Sequence, residues 1–87
     1  MAQFFGVLGD ANRWRILSAL AVQDLRVSEL ADLVGMSDSA VSHQLRVLKG
    51  QHLVRYRREG RYRVYTLKDH HILTLYREVS EHLDEDL

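Results

Sequence analysis

Side chains able to ligate a metal bracket the last stretch of the chain: Asp69-His70-His71 opens it and His82-Leu83-Asp84-Glu85 closes it. His71 and His82 are eleven positions apart, so on a helix they fall about 20° from one another and share a face. Glu78 lies between them and Glu85 one turn beyond, whereas His70 points about 100° away from His71. Those eleven residues rise roughly 16 Å, while zinc bonds run near 2.0 to 2.2 Å, so one helix cannot close a site. Two copies packed antiparallel can. Asp69 and His71 of one chain would face His82 and Glu85 of the other, giving two equivalent four-ligand sites per dimer. Two imidazoles and two carboxylates in fourfold coordination suit Zn(II), with Co(II) or Ni(II) as alternatives. Cysteine is absent, so every ligand must be His or carboxylate. The competing interpretation is plainer: Asp69 is only an N-cap, and the rest is a solvated acidic face.

The elements that must position these residues can be read from apolar spacing. Asp69 is placed to cap a helix with Ile72, Leu75, Tyr76, Val79 and Leu83 along one stripe, the surface through which two copies would pack. Upstream, a short apolar opening (Phe4, Phe5, Val7, Leu8) leads to Asp10, an N-cap for a helix carrying Ile16, Leu17, Leu20 and Ala21. Val27, Leu30, Ala31 and Val34 repeat at helical spacing and stop at Gly35. Ser37 then caps a helix with Ala40, Val41, Leu45 and Leu48 on its inner side and Gly50 just past its end. Two short helices joined through Gly35-Met36-Ser37 make a helix-turn-helix. From Leu53 the period changes to two: Val54, Tyr56 and Arg58 run up to Glu59-Gly60, and Tyr62, Val64 and Thr66 run down, a two-stranded wing. The fold class expected is mainly α with a β-hairpin wing, a winged helix-turn-helix occupying residues 1–87 as one domain, dimeric through its terminal helices.

A formal net charge of zero conceals strong polarity along the chain. Residues 1–45 balance at −2, residues 46–68 at +7 and residues 69–87 at −5. The basic block suits a polyanion. On a helical wheel, Val41, Leu45 and Leu48 define the buried side of the second helix of the motif, leaving Ser39, Ser42, His43 and Arg46 outward. Such a small, polar face can enter a major groove, where Ser, His, Gln44 and Arg46 can meet phosphates or base edges and Ser37 stands at the helix start. Arg57, Arg58, Arg61 and Arg63 cluster around the wing tip, where a DNA backbone would run. A surface helix with Ser and Arg outward and a charged hairpin edge are each unremarkable alone. Helix, wing and basic block in this order are a footprint. His52, between them, reads as ordinary surface.

Ser37-Asp-Ser-Ala-Val-Ser-His-Gln-Leu-Arg-Val-Leu48, with Gly9-Asp-Ala-Asn-Arg-Trp-Arg-Ile-Leu17 before it and Gly60-Arg-Tyr-Arg-Val-Tyr65 after it, resembles the ArsR-type winged-helix metal-sensing repressors. The resemblance runs from about Phe4 to the end of the chain. Family members usually carry proline where Ala11 stands and a longer N-terminal helix. Asp69, His71, His82 and Glu85 match the four ligand positions of the C-terminal-helix site in the zinc-sensing metallothionein-repressor branch, which implies metal binding there. A second, cysteine-based site found in some members has Arg26 at the matching position, so its thiolate form is excluded. The resemblance further implies a homodimer on palindromic double-stranded operator DNA, released when metal binds at the dimer interface. A metallated His82 would donate its other ring N–H to a backbone carbonyl of the Gly50–His52 loop.

Composition bounds the rest. With 87 residues, 46% hydrophobic, 28% charged and no run near the roughly 18 apolar residues of a membrane span, a cytoplasmic, membrane-free protein is expected. An enzyme is disfavoured because four protein ligands leave zinc no open position for water and the chain is short for a substrate cleft. Two alternatives stay open, a winged-helix regulator indifferent to metal and a dimer merely stapled by zinc.

Overall fold

Capping chemistry sets where each helix begins. The computed structural model describes residues 10–85, with side chains through His82. Phe4, Phe5, Val7 and Leu8, and the side chains of Leu83 and Glu85, lie outside the described residues. Helix α1 (Ala11–Val22) starts at Asp10, whose Oδ1 accepts from the amides of Asn12 at 2.9 Å and Arg13 at 3.2 Å. Helix α2 (Val27–Val34) follows a two-residue strand, β1 (Leu25–Arg26), and ends at Gly35, whose φ of 70° glycine adopts without strain. Helix α3 (Asp38–Gly50) starts at Ser37, whose Oγ accepts from the Ala40 amide at 3.1 Å. Strands β2 (Val54–Glu59) and β3 (Tyr62–Leu67) form the wing, and α4 (His70–Glu85) starts at Asp69, whose Oδ1 accepts from the amides of His71 and Ile72.

The fold is the expected winged helix-turn-helix, with three local corrections. Gly50 is the last residue of α3 rather than the residue past it, and the left-handed position falls on His52, at φ 61°. There the His52 amide donates to the Lys49 carbonyl and the Leu53 amide to the Leu48 carbonyl, both at 3.0 Å, a Schellman ending. Leu53 is buried beside it, so the apolar contact holds a histidine where glycine is usual. The hairpin turn is Gly60-Arg61, not Glu59-Gly60, because Glu59 pairs with Tyr62, and Gly60 supplies the positive φ of 63° at the first turn position. The sheet has three strands in the order β1-β3-β2, since Leu25 pairs with Tyr65 and Arg26 with Val64.

The core joins all layers. Ile16, Leu17, Leu30, Val41, Leu45 and Leu48 are fully buried, and Leu25, Val54, Tyr65 and Leu67 seal the sheet against them. Each such aliphatic side chain contributes about 1.5 to 3 kcal/mol of transfer free energy. Helix α4 docks through Tyr76, which lies 4.8 Å from the Trp14 ring and whose O–H donates to Ser18 Oγ at 2.9 Å. No helix among the described residues is long and apolar enough to cross a membrane.

The displaced helix end has a direct test. A Cβ at Gly50 meets nothing within 4 Å, and its φ is not positive. Gly50→Ala is therefore expected to stabilise the fold by about 0.5 to 1 kcal/mol in urea denaturation. Gly35→Ala, at positive φ, is expected to cost about 1 kcal/mol.

Candidate nucleic-acid interface

The rotation of α3 follows from its buried stripe. With Val41, Leu45 and Leu48 each at 0% exposure, Ser39, His43 and Arg46 are exposed and Ser42 is half-buried on the opposite side. Ser37 is exposed at the start, its Oγ occupied as a cap acceptor. Gln44 is half-buried on the shoulder of the helix, where its Oε1 accepts from Arg13 Nε at 2.8 Å. Ser39, Ser42, His43 and Arg46 are thus brought together on one outward surface, whereas Gln44 is engaged by α1.

Register divides the wing into two chemically distinct faces, because directly opposite residues of an antiparallel pair project to the same side. The inner face carries Val54 with Leu67, Tyr56 with Tyr65, and Arg58 with Arg63. The outer face carries Arg55 with Thr66, Arg57 with Val64, and Glu59 with Tyr62, while Arg26 extends the Val64 row from β1. Val64 is buried although it faces outward, flanked across the sheet by Arg26 and Arg57. On the inner face, Arg63 lies 4.7 Å and Lys49 5.6 Å from the Tyr56 ring, cation–π contacts that hold the base of the wing.

The four wing arginines are not equivalent. Arg57 is tied down: its Nη1 donates to Asp24 Oδ2 at 2.7 Å and its Nε to Glu59 Oε2 at 2.8 Å. The Arg57 hydrogen bond, with help from Thr66, holds the Asp24 carboxyl below its ordinary value of 3.8, and the same two carboxylates push the Arg57 guanidinium up. Among the described residues, Arg46, Arg58, Arg61 and Arg63 have no carboxylate within ion-pair distance. Arg46, Arg61 and Arg63 line a groove of about 520 Å³ between α3 and the wing, together with Arg26, Ser42 and a single acid, Asp38. The guanidinium of Arg26 lies 4.6 Å from the Tyr62 ring centroid. Sequence reading treated Arg26 only as a replacement for cysteine and passed over Asp24 and Arg13. A two-residue strand shows no periodicity, and Asp24 is 33 residues from Arg57.

The residues with metal-ligand chemistry stand at the two ends of α4. Asp69 Oδ1 lies 3.6 Å from His71 Nδ1, and the His71 side chain is 95% exposed. His82 is exposed near the other end, the Glu85 side chain lies outside the described residues, and His70 is exposed. No group of three or more His, Cys, Asp or Glu gathers among the described residues. Of the stripe expected to join two copies, Ile72, Leu75, Tyr76 and Val79 are half-buried against their own core, and the Leu83 side chain lies outside the described residues.

The Asp24–Arg57 pair carries a pH signature. A depressed carboxyl stabilises the fold above its unfolded value, and that contribution is lost as pH falls through the folded value. Acid titration of stability below about pH 4 is therefore expected to be shallower in Asp24→Asn than in the wild type, as measured by urea midpoints.

Comparison with known proteins gives the geometry a family. The description "Bacterial regulatory protein, arsR family" matches residues 10–56. The chain is 55% identical over 85 residues to a transcriptional repressor SmtB homolog of Synechocystis, covering 98% of this chain and 64% of that protein. It thus spans less than two thirds of that relative's length. It is 44% identical over 86 residues to the HTH-type transcriptional regulator NmtR of Mycobacterium tuberculosis, covering 95% of this chain and 72% of that one. Among solved structures, the homodimeric winged helix-turn-helix DNA-binding domain Mb0332 of Mycobacterium bovis superposes with a TM-score of 0.91 at 30% identity, over 98% of this chain and 79% of that one. The solution structure of apo-NmtR gives 0.82 at 42% identity, over 97% and 71%. Sequence and fold agree that the chain belongs to the ArsR family, a family of bacterial regulators and not of enzymes.

Proposed function

We propose that the chain is a homodimeric transcriptional repressor that binds palindromic operator DNA and is released when Zn(II) binds between its two copies. One observation carries the DNA part: the outward face of α3 continues into a groove lined by Arg46, Arg61 and Arg63, which among the described residues have no carboxylate within ion-pair distance. Two such faces related by a twofold axis fit successive major grooves, with half-sites about one helical turn apart. Ser37, Ser39, Ser42, His43, Gln44 and Arg46 meet the groove, and Arg58, Arg61 and Arg63 meet the backbone. Arg57, already paired twice, serves the wing's shape more than its charge.

The metal part rests on the donor set. Asp69 and His71 stand together at an exposed helix start and fit one half of a tetrahedral site. His82 and Glu85 of the partner subunit would supply the other half, once α4 packs on its counterpart through Ile72, Leu75, Tyr76, Val79 and Leu83. Zinc so held supplies a cross-link between the copies, and Co(II) or Ni(II) fits the same ligands. Asp69 Oδ1 is occupied by the helix cap, so Oδ2 is the oxygen left to ligate. Coupling to DNA runs through the α3–β2 loop, where His82 would donate to a backbone carbonyl. Among the described residues, Gln51 Oε1 in that loop is a buried acceptor without a hydrogen-bond partner, a second point at which a donor could engage. The relatives add support: one carries the name of a cadmium resistance regulatory protein, CadC homolog of Staphylococcus aureus, at 33% identity over 98% of this chain.

Fluorescence anisotropy on a labelled palindrome, selected from random DNA without metal, tests the proposal at fixed salt. Stoichiometric Zn(II) is expected to weaken binding roughly 5- to 150-fold, and His82→Gln to abolish that effect. Unchanged affinity would leave a DNA-binding regulator indifferent to metal. In the same assay without metal, Arg61→Met or Arg63→Met is expected to lower the salt slope by about one, and Arg57→Met to leave it nearly unchanged.

A further inference from the structure

Arg26 enters the groove from β1, outside both α3 and the wing, and a tyrosine ring holds it there. Its guanidinium carbon lies 4.6 Å from the centroid of the Tyr62 ring, and that of Arg61 lies 5.6 Å from the same centroid. Both separations are within the reach of a cation–π attraction, so one ring gathers two cations, one from β1 and one from the hairpin turn. The two guanidinium carbons are therefore at most about 10 Å apart, the sum of the two separations. All three residues line the groove that also holds Ser42 and Arg46 of α3. The Arg26 side chain is 42% exposed, and among the described residues no carboxylate lies within ion-pair distance of Arg61. Two like charges held this close repel, and an anion between them would replace that repulsion with two charge-assisted hydrogen bonds.

We propose that Arg26 and Arg61 form a clasp on a single DNA backbone phosphate in each half-site, with Tyr62 as the positioning residue that keeps the two guanidiniums together. The inference rests on the DNA-binding reading above and adds to it a contact from β1 that shares its phosphate with the wing. A phosphodiester presents two anionic oxygens, one for each guanidinium. A base edge suits the pair less well, because one arginine takes both O6 and N7 of a guanine and leaves the second without an acceptor. Glu29 steadies Arg26 without consuming it: its Oε1 accepts from the Arg26 amide at 2.8 Å and meets the side chain only at Nε, at 3.4 Å. The two Nη groups are the donors that remain for a phosphate.

A selected operator carrying one uncharged methylphosphonate, moved along the backbone position by position, tests this with the full chain at fixed salt. For wild type, one position in each half-site is expected to cost roughly 10-fold or more through this contact. Arg26→Met and Arg61→Met are each expected to shrink the penalty at that same position, and the double variant to abolish it. Because a shared phosphate is counted once, the double variant is expected to lower the salt slope by about one in total. Tyr62 is 45% exposed, so replacing it spares the core. Tyr62→Leu is expected to shrink the same penalty and leave base preferences unchanged, and Tyr62→Phe, which keeps the ring, to restore it. Penalties of Arg26→Met and Arg61→Met that map to different phosphates, or a slope loss of about two in the double variant, would mark separate contacts and overturn the clasp while sparing the DNA reading. An Arg26→Met variant with the wild-type penalty at every position would do the same. So would inorganic phosphate, exchanged for chloride at constant ionic strength, that abolishes the penalty at this one position, the mark of a site for the free ion. A wild-type chain that binds no duplex would overturn both.

Discussion

Complete burial of Val41, Leu45 and Leu48 fixes the rotation of α3 about its own axis, and the functional surface follows from that rotation. A helix seated through three fully buried aliphatic side chains at i, i+4 and i+7 cannot turn without exposing them. Ser39, His43 and Arg46 are consequently presented outward, and Gln44 is delivered to Arg13. The same stripe ends at Leu48, whose carbonyl receives the Leu53 amide and hands the chain to the wing. Helix α3 and the wing are therefore one mechanical unit, joined across five residues by a helix ending and a buried leucine.

Charge is distributed by the same logic. The wing's register sends Arg58 and Arg63 to one face and Arg57 to the other, where Asp24 and Glu59 meet it. An arginine engaged twice anchors the α1–β1 connection to the wing, while Arg61 and Arg63 leave positive charge at the groove. The zero net charge of the chain thus describes no surface of it. What a polyanion would meet is the local field of Arg46, Arg61 and Arg63 around the groove, and the acidic residues of α4 belong to a different element.

Much of this was legible from residue types and spacing. Asp10, Ser37 and Asp69 each announced a helix start, and Gly35 a helix end, because capping depends on one or two local residues. The outward set on α3 was legible because a single period fixes a single face. What was hidden depends on contacts distant in sequence or on competition between neighbours. His52 takes the left-handed position from Gly50 because burying Leu53 outweighs the modest cost of a histidine at positive φ. The strand Leu25–Arg26 is too short to show alternation and exists because β3 offers it an edge. Tyr76 read as part of an outer stripe, yet a ring stack with Trp14 and a bond to Ser18 engage it within its own chain. Neither Arg13–Gln44 nor Asp24–Arg57 has any local signal, each spanning more than thirty residues.

The most direct test of the account is an NMR titration of the isotopically labelled chain with a selected operator duplex at low salt. Chemical-shift changes should concentrate on Ser37 to Arg46 and on the wing around Arg61 and Arg63. The exposed apolar patch formed by Val22 and Leu33 at the ends of α1 and α2 should stay silent. Shifts centred on that patch, with the outward face of α3 unperturbed, would contradict the central claim that the rotation of α3 creates the nucleic-acid surface.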